Sequence, residues 1–215
     1  PAYGGSHLPD VTMIAPVYSH GTLIGYVANR AHHGEIGGMS PGSMPAEAVC
    51  LEEEGVVIPP TFIAKGGKAD YSTIEKMLSC ARYPTRSLNE NLADLKASFA
   101  SIRTGIELMV RLCIDFGAER VSYYMLALHR YANDCIQKKL GEILKSETEA
   151  TEMLDDGSVL KVKISKLSNK YTFDFLGTAP QHPANMNATP AIVNSVVLYV
   201  LRLLIDDDIP LNEGI

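Results

Sequence analysis

Two segments rich in β-branched and apolar residues, separated by a short polar turn, constrain the fold of this chain more than any other feature. Residues 11–18 and 22–28 form these segments, and Ser19, His20 and Gly21 lie between them. Glycine can adopt the positive φ angle that a tight turn needs. The pattern therefore predicts a β-hairpin, in which residues at equal distances from the turn face each other.

Side chains of the types that bind metal ions lie at the open end of this hairpin. With an odd number of residues in the loop, Asp10 pairs with either Arg30 or His32, and Asp10 and His32 then share a face of the sheet. His7 lies three residues before Asp10 and can fold back over the same end. Two imidazoles and one carboxylate form a ligand set used by zinc, manganese and iron, with positions left open for water or substrate.

Further polar residues and glycines follow immediately. His33 and Glu35 can serve as a fourth ligand, as hydrogen-bond partners of a ligand, or as proton carriers. Gly37 and Gly38 begin a loop that continues through residues 40–45, and it is interpreted either as a substrate-covering loop or as a connecting turn. The alternative for the whole group is a set of surface polar residues at a strand end. Their grouping at one end of one hairpin favours a metal or catalytic site.

The middle of the chain has helical periodicity. Ser72 is expected to cap a short helix that ends at Cys80. Apolar residues at alternating spacings of three and four predict a long helix over residues 88–116, and Gly117 is a good stop. A second long helix is predicted over residues 119–144. With so short a connection, the two helices are expected to form an antiparallel helical hairpin, whose simplest role is structural.

The last part of the chain returns to an alternating pattern. Residues 159–167 and 171–176 predict a second β-hairpin with a turn at Asn169 and Lys170. A run of almost only apolar residues over 191–205 predicts a buried C-terminal helix. Between them lies a polar loop with many donors and acceptors for a polar small molecule. Its candidates for substrate binding are Gln181, Asn185 and Asn187.

These patterns indicate an α+β fold in three regions, which we regard as parts of one larger domain. Residues 1–70 form a β-rich region with the metal site, residues 71–145 form the helical hairpin, and residues 146–215 contain the second β-hairpin, the polar loop and the buried helix.

Composition narrows the classes of function and location. The formal net charge is −6 over 215 residues, which disfavours nucleic acid and anionic membranes as partners. No apolar run is long enough to span a bilayer, so we expect neither a membrane span nor a signal peptide.

The chain begins at Pro1 and ends at Ile215 in a loop-like sequence, so we expect it to be a segment of a longer polypeptide. The cysteines form no C-x-x-C motif and are expected to be reduced, as in the cytoplasm. They are Cys50, Cys80, Cys113 and Cys135.

Six short motifs are spread along the chain in a fixed order. They are G-G-S-H-L-P-D (4–10), A-N-R-A-H-H-G-E-I-G-G (28–38), P-G-S-M-P (41–45), E-E-G-V-V-I-P-P (53–60), D-F-L-G-T-A-P-Q (174–181) and D-I-P-L-N-E-G (208–214). Together they resemble the hydantoinase B/oxoprolinase family. That family includes the B subunit of ATP-dependent hydantoinases, the C-terminal half of 5-oxoprolinase, and subunits of acetone and acetophenone carboxylases. Residues 85–97 look most like the oxoprolinase and hydantoinase branch.

The resemblance implies a two-part mechanism in a hetero-oligomer. A hydantoinase A-type subunit or domain phosphorylates the substrate with ATP, and the B-type part completes the reaction at a divalent metal, with manganese or zinc expected. In the cyclic-amide branch this reaction is hydrolysis of a phosphorylated hydantoin, 5-oxoproline or related lactam. The implied metal ligands are His7, Asp10 and His32, and we expect His33 or Glu35 to transfer protons.

Two other functions are compatible with the sequence. The first, within the same family, is a component of an ATP-dependent ketone carboxylase of the acetone or acetophenone type. The second is a non-catalytic scaffold or interaction module that uses the long helices. The intact trio of candidate ligands argues against the second.

Overall fold

The computed structural model describes residues 5–43, 45–144, 146–168, 170–205, 209 and 211–215. Two compact units lie within the chain, the first in Pro1–Tyr123 and Pro183–Val193, the second in Tyr124–His182 and Asn194–Ile215. The mixture of helices with small antiparallel sheets confirms the α+β class. The strands are β1 (Asp10–Ser19), β2 (Thr22–His32), β3 (Ala64–Lys65), β4 (Lys68–Ala69), β5 (Thr148–Met153), β6 (Val159–Leu167) and β7 (Lys170–Asp174), and the helices are α1 (Leu51–Glu54), α2 (Ser72–Cys80), α3 (Leu88–Phe116), α4 (Ala118–Ile143) and α5 (Pro190–Leu203).

The first unit contains the predicted hairpin of β1 and β2. Its turn has only two residues, His20 and Gly21, both with positive φ, rather than the three expected. Ser19 pairs with Thr22 next to the turn, but Val17 pairs with Gly25, which leaves Ile24 unpaired as a β-bulge. The register is therefore shifted by one residue between Val17 and the open end of the hairpin. The bulge supplies the odd residue, so that Asp10 pairs with His32 as the hairpin prediction allowed.

One face of this hairpin packs against α3. Met13 and Val17 are buried, and the Nδ2 of Asn29 donates a hydrogen bond to the Ser98 carbonyl at 2.8 Å. The alternate residues of both strands therefore point away from α3. The core of this unit joins the hairpin, α2, α3 and the intervening loops through Met13, Ile36, Val56, Ile74, Leu78, Leu95 and Ile102.

Helix α2 has the predicted extent, although its start differs in detail. Tyr71 occupies the cap position, and Ser72 is the first helical residue. The carboxylate of Asp70 accepts a hydrogen bond from the backbone N–H of Ser72 at 2.9 Å. Aspartate therefore supplies the capping oxygen that was expected from serine, because either oxygen satisfies a free N–H of the first turn.

The second unit contains a three-stranded antiparallel sheet in the order β5-β6-β7 rather than a two-stranded hairpin. Strand β5 was missed because every one of its residues is exposed, so its sequence has no apolar alternation. Of the turn predicted at Asn169 and Lys170, Lys170 begins β7, and Asn169 lies outside the described residues. Gly4, Met44, Asp208 and Pro210 of the sequence motifs lie outside them too. The core of this unit contains Ala132, Ile136, Leu140, Leu201, Ile205 and Ile209.

The two long helices are confirmed, with Gly117 at a φ of 86° between them. Helix α3 belongs to the first unit and most of α4 to the second, so their antiparallel pairing stays a prediction. The division into three regions also stays a prediction.

Helix α5 is confirmed, but its burial is partial, since Val196, Tyr199 and Leu203 are exposed and only Leu201 is buried. Among the described residues, no helix has the length and apolar character needed to cross a bilayer.

Candidate metal centre

The side chains of His7, Asp10 and His32 converge at the open end of the β1–β2 hairpin. Asp10 Oδ1 lies 3.1 Å from His32 Nδ1, and Asp10 Oδ2 lies 3.2 Å from His7 Nδ1. The two imidazole ring centroids are 5.0 Å apart. One ligand atom from each residue lies within 4.8 Å of the others, and in the described part of the chain no other group of three His, Cys, Asp or Glu residues does so. The structure therefore brings together the predicted trio.

The backbone explains this convergence. The N–H of Asp10 donates to the His7 carbonyl at 3.2 Å, which turns the preceding segment back over the hairpin end. The carbonyl of Pro9 accepts a hydrogen bond from the N–H of His33 at 2.9 Å, and Pro9 itself is fully buried. Cross-strand pairing supplies the third ligand, because it places His32 opposite Asp10.

Ser6 completes the immediate surroundings of the trio. Its hydroxyl donates to Asp10 Oδ2 at 2.5 Å and lies 3.0 Å from His7 Nδ1. Partial burial raises the pKa of Asp10, but hydrogen bonds from Ser6 and His32 and the charges of His7 and His32 outweigh it and lower this pKa overall. Asp10 is therefore held as a carboxylate, which is the form that binds a cation.

The donor set fits a divalent transition metal. Two imidazole nitrogens and one carboxylate oxygen are ligands that zinc and manganese both accept. The His7, Asp10 and His32 side chains retain 29%, 15% and 54% of their exposure, respectively, so a small molecule can reach them. Three protein ligands also leave coordination positions open. Metal binding itself stays a prediction.

His33 points away from this trio and is buried. Its side chain is 1% exposed, and its Nδ1 lies 2.5 Å from Asn91 Oδ1 on α3. Asn91 Nδ2 donates to the hydroxyl of Thr85 at 2.8 Å, and that hydroxyl donates to Glu35. The carboxylate of Glu35 can only accept hydrogen bonds, so the Thr85 hydroxyl donates to it and accepts from Asn91 Nδ2. Asn91 Oδ1 therefore faces His33 and accepts a hydrogen bond from its Nδ1–H. His33 Nε2 is buried and has no hydrogen-bond partner among the described residues.

Glu35 is anchored by the loop before α3. Its Oε1 accepts hydrogen bonds from the backbone N–H groups of Arg86 at 3.0 Å and Ser87 at 3.1 Å, and Oε2 accepts one from Gly37 at 3.0 Å. Burial raises the pKa of Glu35, but hydrogen bonds from Thr85 and from these backbone groups outweigh it and lower this pKa. Proton transfer by His33 or Glu35 stays a prediction, and their contacts show that both position the backbone beside the trio.

Gly37 and Gly38 are required by close backbone packing. Both have positive φ, and a Cβ on Gly37 would collide with the Tyr83 carbonyl oxygen. A Cβ on Gly38 would lie 2.6 Å from the Glu54 carbonyl oxygen. Gly38 N–H in turn donates to the Tyr83 carbonyl at 3.1 Å. The close approach predicted for these glycines is thus made to other segments of the same unit, and a role in substrate binding stays a prediction.

The three candidates of the polar loop are divided between the two units. Asn185 lies in the first unit, and its Nδ2 donates to the Pro45 carbonyl at 3.2 Å. Asn187 Nδ2 donates to the Ala184 carbonyl at 2.9 Å. Gln181 is exposed and belongs to the second unit. The two asparagines therefore stabilise the loop, and substrate binding by the three residues stays a prediction.

The sequence did not predict the roles of Ser6, Thr85, Arg86 and Asn91. Asn91 carried a usable signal, because it is a polar residue on the face of α3 that also holds the buried Leu95. Arg86 Nη2 donates to the Gly38 carbonyl at 2.9 Å and so fixes the loop after Glu35. Nothing in its sequence neighbourhood pointed to this contact, which joins segments far apart in the chain.

Comparison with known proteins identifies relatives that extend beyond this chain. The Hydantoinase B/oxoprolinase family model matches residues 1–215. The 5-oxoprolinase of Saccharomyces cerevisiae is 39% identical over 227 residues, which cover 100% of this chain and 18% of that protein. The structure of ATP-dependent caprolactamase from Pseudomonas jessenii superposes with a TM-score of 0.85 at 23% identity, over 100% of this chain and 37% of that chain. A nucleotide-free acetone carboxylase structure gives a TM-score of 0.76 at 16% identity, over 96% and 29% of the two chains.

These matches have different weights. At their low identities, the two solved structures show that the fold is shared. This chain spans less than a fifth of the length of the yeast relative, so the activity of the whole protein is a separate question. The family model covers every residue of the chain, and the resemblance of the six motifs is confirmed by it. The chain belongs to the Hydantoinase B/oxoprolinase family.

Proposed function

We propose that this chain forms part of an ATP-dependent hydrolase of cyclic amides and supplies its divalent metal site. The observation that carries the proposal is the convergence of His7, Asp10 and His32 within 4.8 Å on an accessible face of the hairpin. The whole-chain similarity to a 5-oxoprolinase and the shared fold with a caprolactamase support a cyclic amide as the substrate.

In this proposal each residue of the site has a defined task. His7, Asp10 and His32 hold manganese or zinc, and Ser6 orients the Asp10 carboxylate through its hydrogen bond to Oδ2. The bound ion would polarise a carbonyl group or a water molecule. The network from Glu35 to His33 fixes the backbone that follows His32.

ATP enters the reaction at a second component. We propose that a hydantoinase A-type subunit or domain binds ATP and transfers its γ-phosphoryl group to the amide oxygen of the substrate. Water then adds to the amide carbon, and the ring C–N bond breaks with a proton passing to nitrogen, which leaves an acyl phosphate. A second water hydrolyses this acyl phosphate to a carboxylate and inorganic phosphate. The proposal is compatible with a separate subunit in a hetero-oligomer and with a domain of the same polypeptide.

Replacement of His32 tests the metal site. In the full-length protein we expect His32→Ala to lose both its bound metal, measured by elemental analysis, and its ATP-dependent amide hydrolysis, because one of three ligands is gone. His20→Ala is the matched control, since His20 is an exposed histidine at the other end of the same hairpin. Unchanged metal content in His32→Ala would refute the ligand assignment.

Ketone carboxylation is the second candidate, supported by the fold shared with an acetone carboxylase. The trio does not separate the two reactions, because a metal ion that polarises a carbonyl group could serve either one. Turnover of ketones that requires bicarbonate would identify a carboxylase. Turnover of lactams or hydantoins without bicarbonate would identify a hydrolase.

A further inference from the structure

We propose that Arg30 forms an oxyanion-binding site beside the metal trio, which receives either the phosphoryl group of the activated amide or a carboxylate of the substrate. The inference rests on the proposed function and adds a residue to which no role has been assigned. It follows from the register of the hairpin, the orientation of the guanidinium and its lack of a carboxylate partner.

The register places Arg30 next to the trio on the same surface. Asp10 pairs with His32, and Thr12 pairs with Arg30 one step further along the ladder. Residues two positions apart on a strand share a face and are separated by roughly 7 Å. Residues of β2 alternate between partly buried and exposed, and both Arg30 and His32 are exposed. Asn29, the residue before Arg30, lies on the opposite face and bonds to Ser98 of α3.

Thr12 orients the guanidinium of Arg30. The Nε–H of Arg30 donates to Thr12 Oγ1 at 2.9 Å across the two strands. This bond uses the inner edge of the guanidinium and leaves the N–H groups of both terminal nitrogens available. A planar pair of such nitrogens matches the oxygens of a phosphate or carboxylate in a bidentate contact.

No protein carboxylate in the described ranges neutralises Arg30. Its one hydrogen bond there is to a neutral hydroxyl, and it takes part in none of the ion pairs found there. The adjacent acid on this face is Asp10, and both of its oxygens are already engaged by Ser6, His7 and His32. An exposed cation beside a metal-type ligand set is therefore left to pair with an anionic group of the reactant.

The test compares Arg30→Ala and Arg30→Lys with wild-type full-length protein, and with Arg103→Ala as control. Arg103 is an exposed arginine of α3, outside the site and in a weak 4.0 Å ion pair with Glu107. Binding of inorganic phosphate and of 5-oxoproline is measured without ATP, and bound metal is measured in every variant. Turnover is measured with 5-oxoproline and with 2-pyrrolidinone, which is the same lactam ring without the carboxylate.

Three outcomes are distinguishable. If Arg30 holds the phosphoryl group, Arg30→Ala weakens phosphate binding by about 10- to 100-fold and lowers kcat/KM for both lactams. If it holds the substrate carboxylate, only 5-oxoproline binding and turnover fall, and phosphate binding is unchanged. Changes below threefold in every measurement, equal to those of Arg103→Ala, would overturn the proposal. Arg30→Lys retains the charge without the fork and should lie between Arg30→Ala and wild type.

The binding measurements separate this inference from the proposed function. If the protein hydrolyses no cyclic amide, the turnover assay gives no signal in any variant. The binding of phosphate and of 5-oxoproline still reports on Arg30. If Arg30→Ala alone loses metal, Arg30→Lys provides the comparison at full metal content, and binding equal to wild type in that variant would count against a bidentate contact.

Discussion

Glu35 is a charged residue beside the candidate metal site whose carboxylate accepts hydrogen bonds from the backbone. Its two carboxylate oxygens accept hydrogen bonds from three backbone N–H groups, those of Gly37, Arg86 and Ser87, and from the hydroxyl of Thr85. Free N–H groups before a helix are costly when buried, and a carboxylate satisfies several at once. Glu35 thereby links the loop after β2 to the residues that precede α3.

This anchoring predicts a pH-dependent contribution to stability. The pKa of Glu35 is lowered in the folded protein, so its ionised form stabilises the fold above the ordinary glutamate pKa of about 4.3. That stabilisation is lost as the pH falls through the lower folded-state pKa. Glu35→Gln should lower the unfolding free energy at pH 7 by about 1–3 kcal/mol and reduce the loss of stability on acidification.

Thermal melts of the full-length protein between neutral and acidic pH provide the measurement. Glu75→Gln is the control, because Glu75 is an exposed glutamate on α2. Parallel stability curves for wild type and Glu35→Gln over this range would contradict the assignment.

Gly37 offers a second test at the scale of one atom. Gly37 and Gly42 share a φ of 83°, but a Cβ on Gly37 would collide with Tyr83, whereas nothing lies within 4 Å of one on Gly42. Alanine at either position has the strain of the left-handed region, about 1–2 kcal/mol. Gly37→Ala should cost about 1–3 kcal/mol more than Gly42→Ala, because only it overpacks the structure. Urea unfolding of both variants gives this difference, and equal costs would rule out the steric explanation.

At the scale of elements, one buried polar pair joins the residue that follows β2 to α3. Asn91 is 2% exposed and His33 is 1% exposed, and they form a hydrogen bond between the end of β2 and the first turns of α3. A buried polar group that loses its partner retains the full cost of its desolvation. Removing both partners should therefore cost less unfolding free energy than the sum of the costs of removing each one alone.

A double-mutant cycle tests this coupling. Asn91→Leu and His33→Leu should each cost about 1–3 kcal/mol of unfolding free energy, and the double variant should cost less than their sum by at least about 0.5 kcal/mol. Chemical denaturation measures all four proteins. Strict additivity would show that the two side chains are not coupled.

Elements were predictable where a single face of the element is buried. Apolar periodicity placed α3, α4, β1 and β2 close to their observed positions, because each packs one face on a core. Strand β5 was invisible, since it pairs through its backbone and exposes every side chain. The turn length was also mistaken by one residue, because a bulge and a longer loop give the same register beyond the bulge.

At the scale of the whole molecule, the first unit carries the trio and the second has a separate core. The sequence predicted the convergence of His7, Asp10 and His32, because strand pairing converts sequence spacing into proximity. It did not predict the support from Thr85 and Asn91, because loop-to-helix contacts have no periodic signature. Hydropathy also overstated the burial of α5, since burial requires a partner surface as well as an apolar side chain.

The bulge at Ile24 has a consequence for how this hairpin can change its length in evolution. Residues 18 and 19 pair as a two-residue turn demands, and the unpaired residue restores the pairing of Asp10 with His32. A single insertion or deletion between these two ligands would move one of them to the opposite face, unless a bulge is gained or lost with it. Adding or removing one residue in each strand keeps Asp10 opposite His32 and changes only the number of residue pairs. Homologous hairpins should therefore vary in length by even numbers, or exchange an odd residue for the bulge.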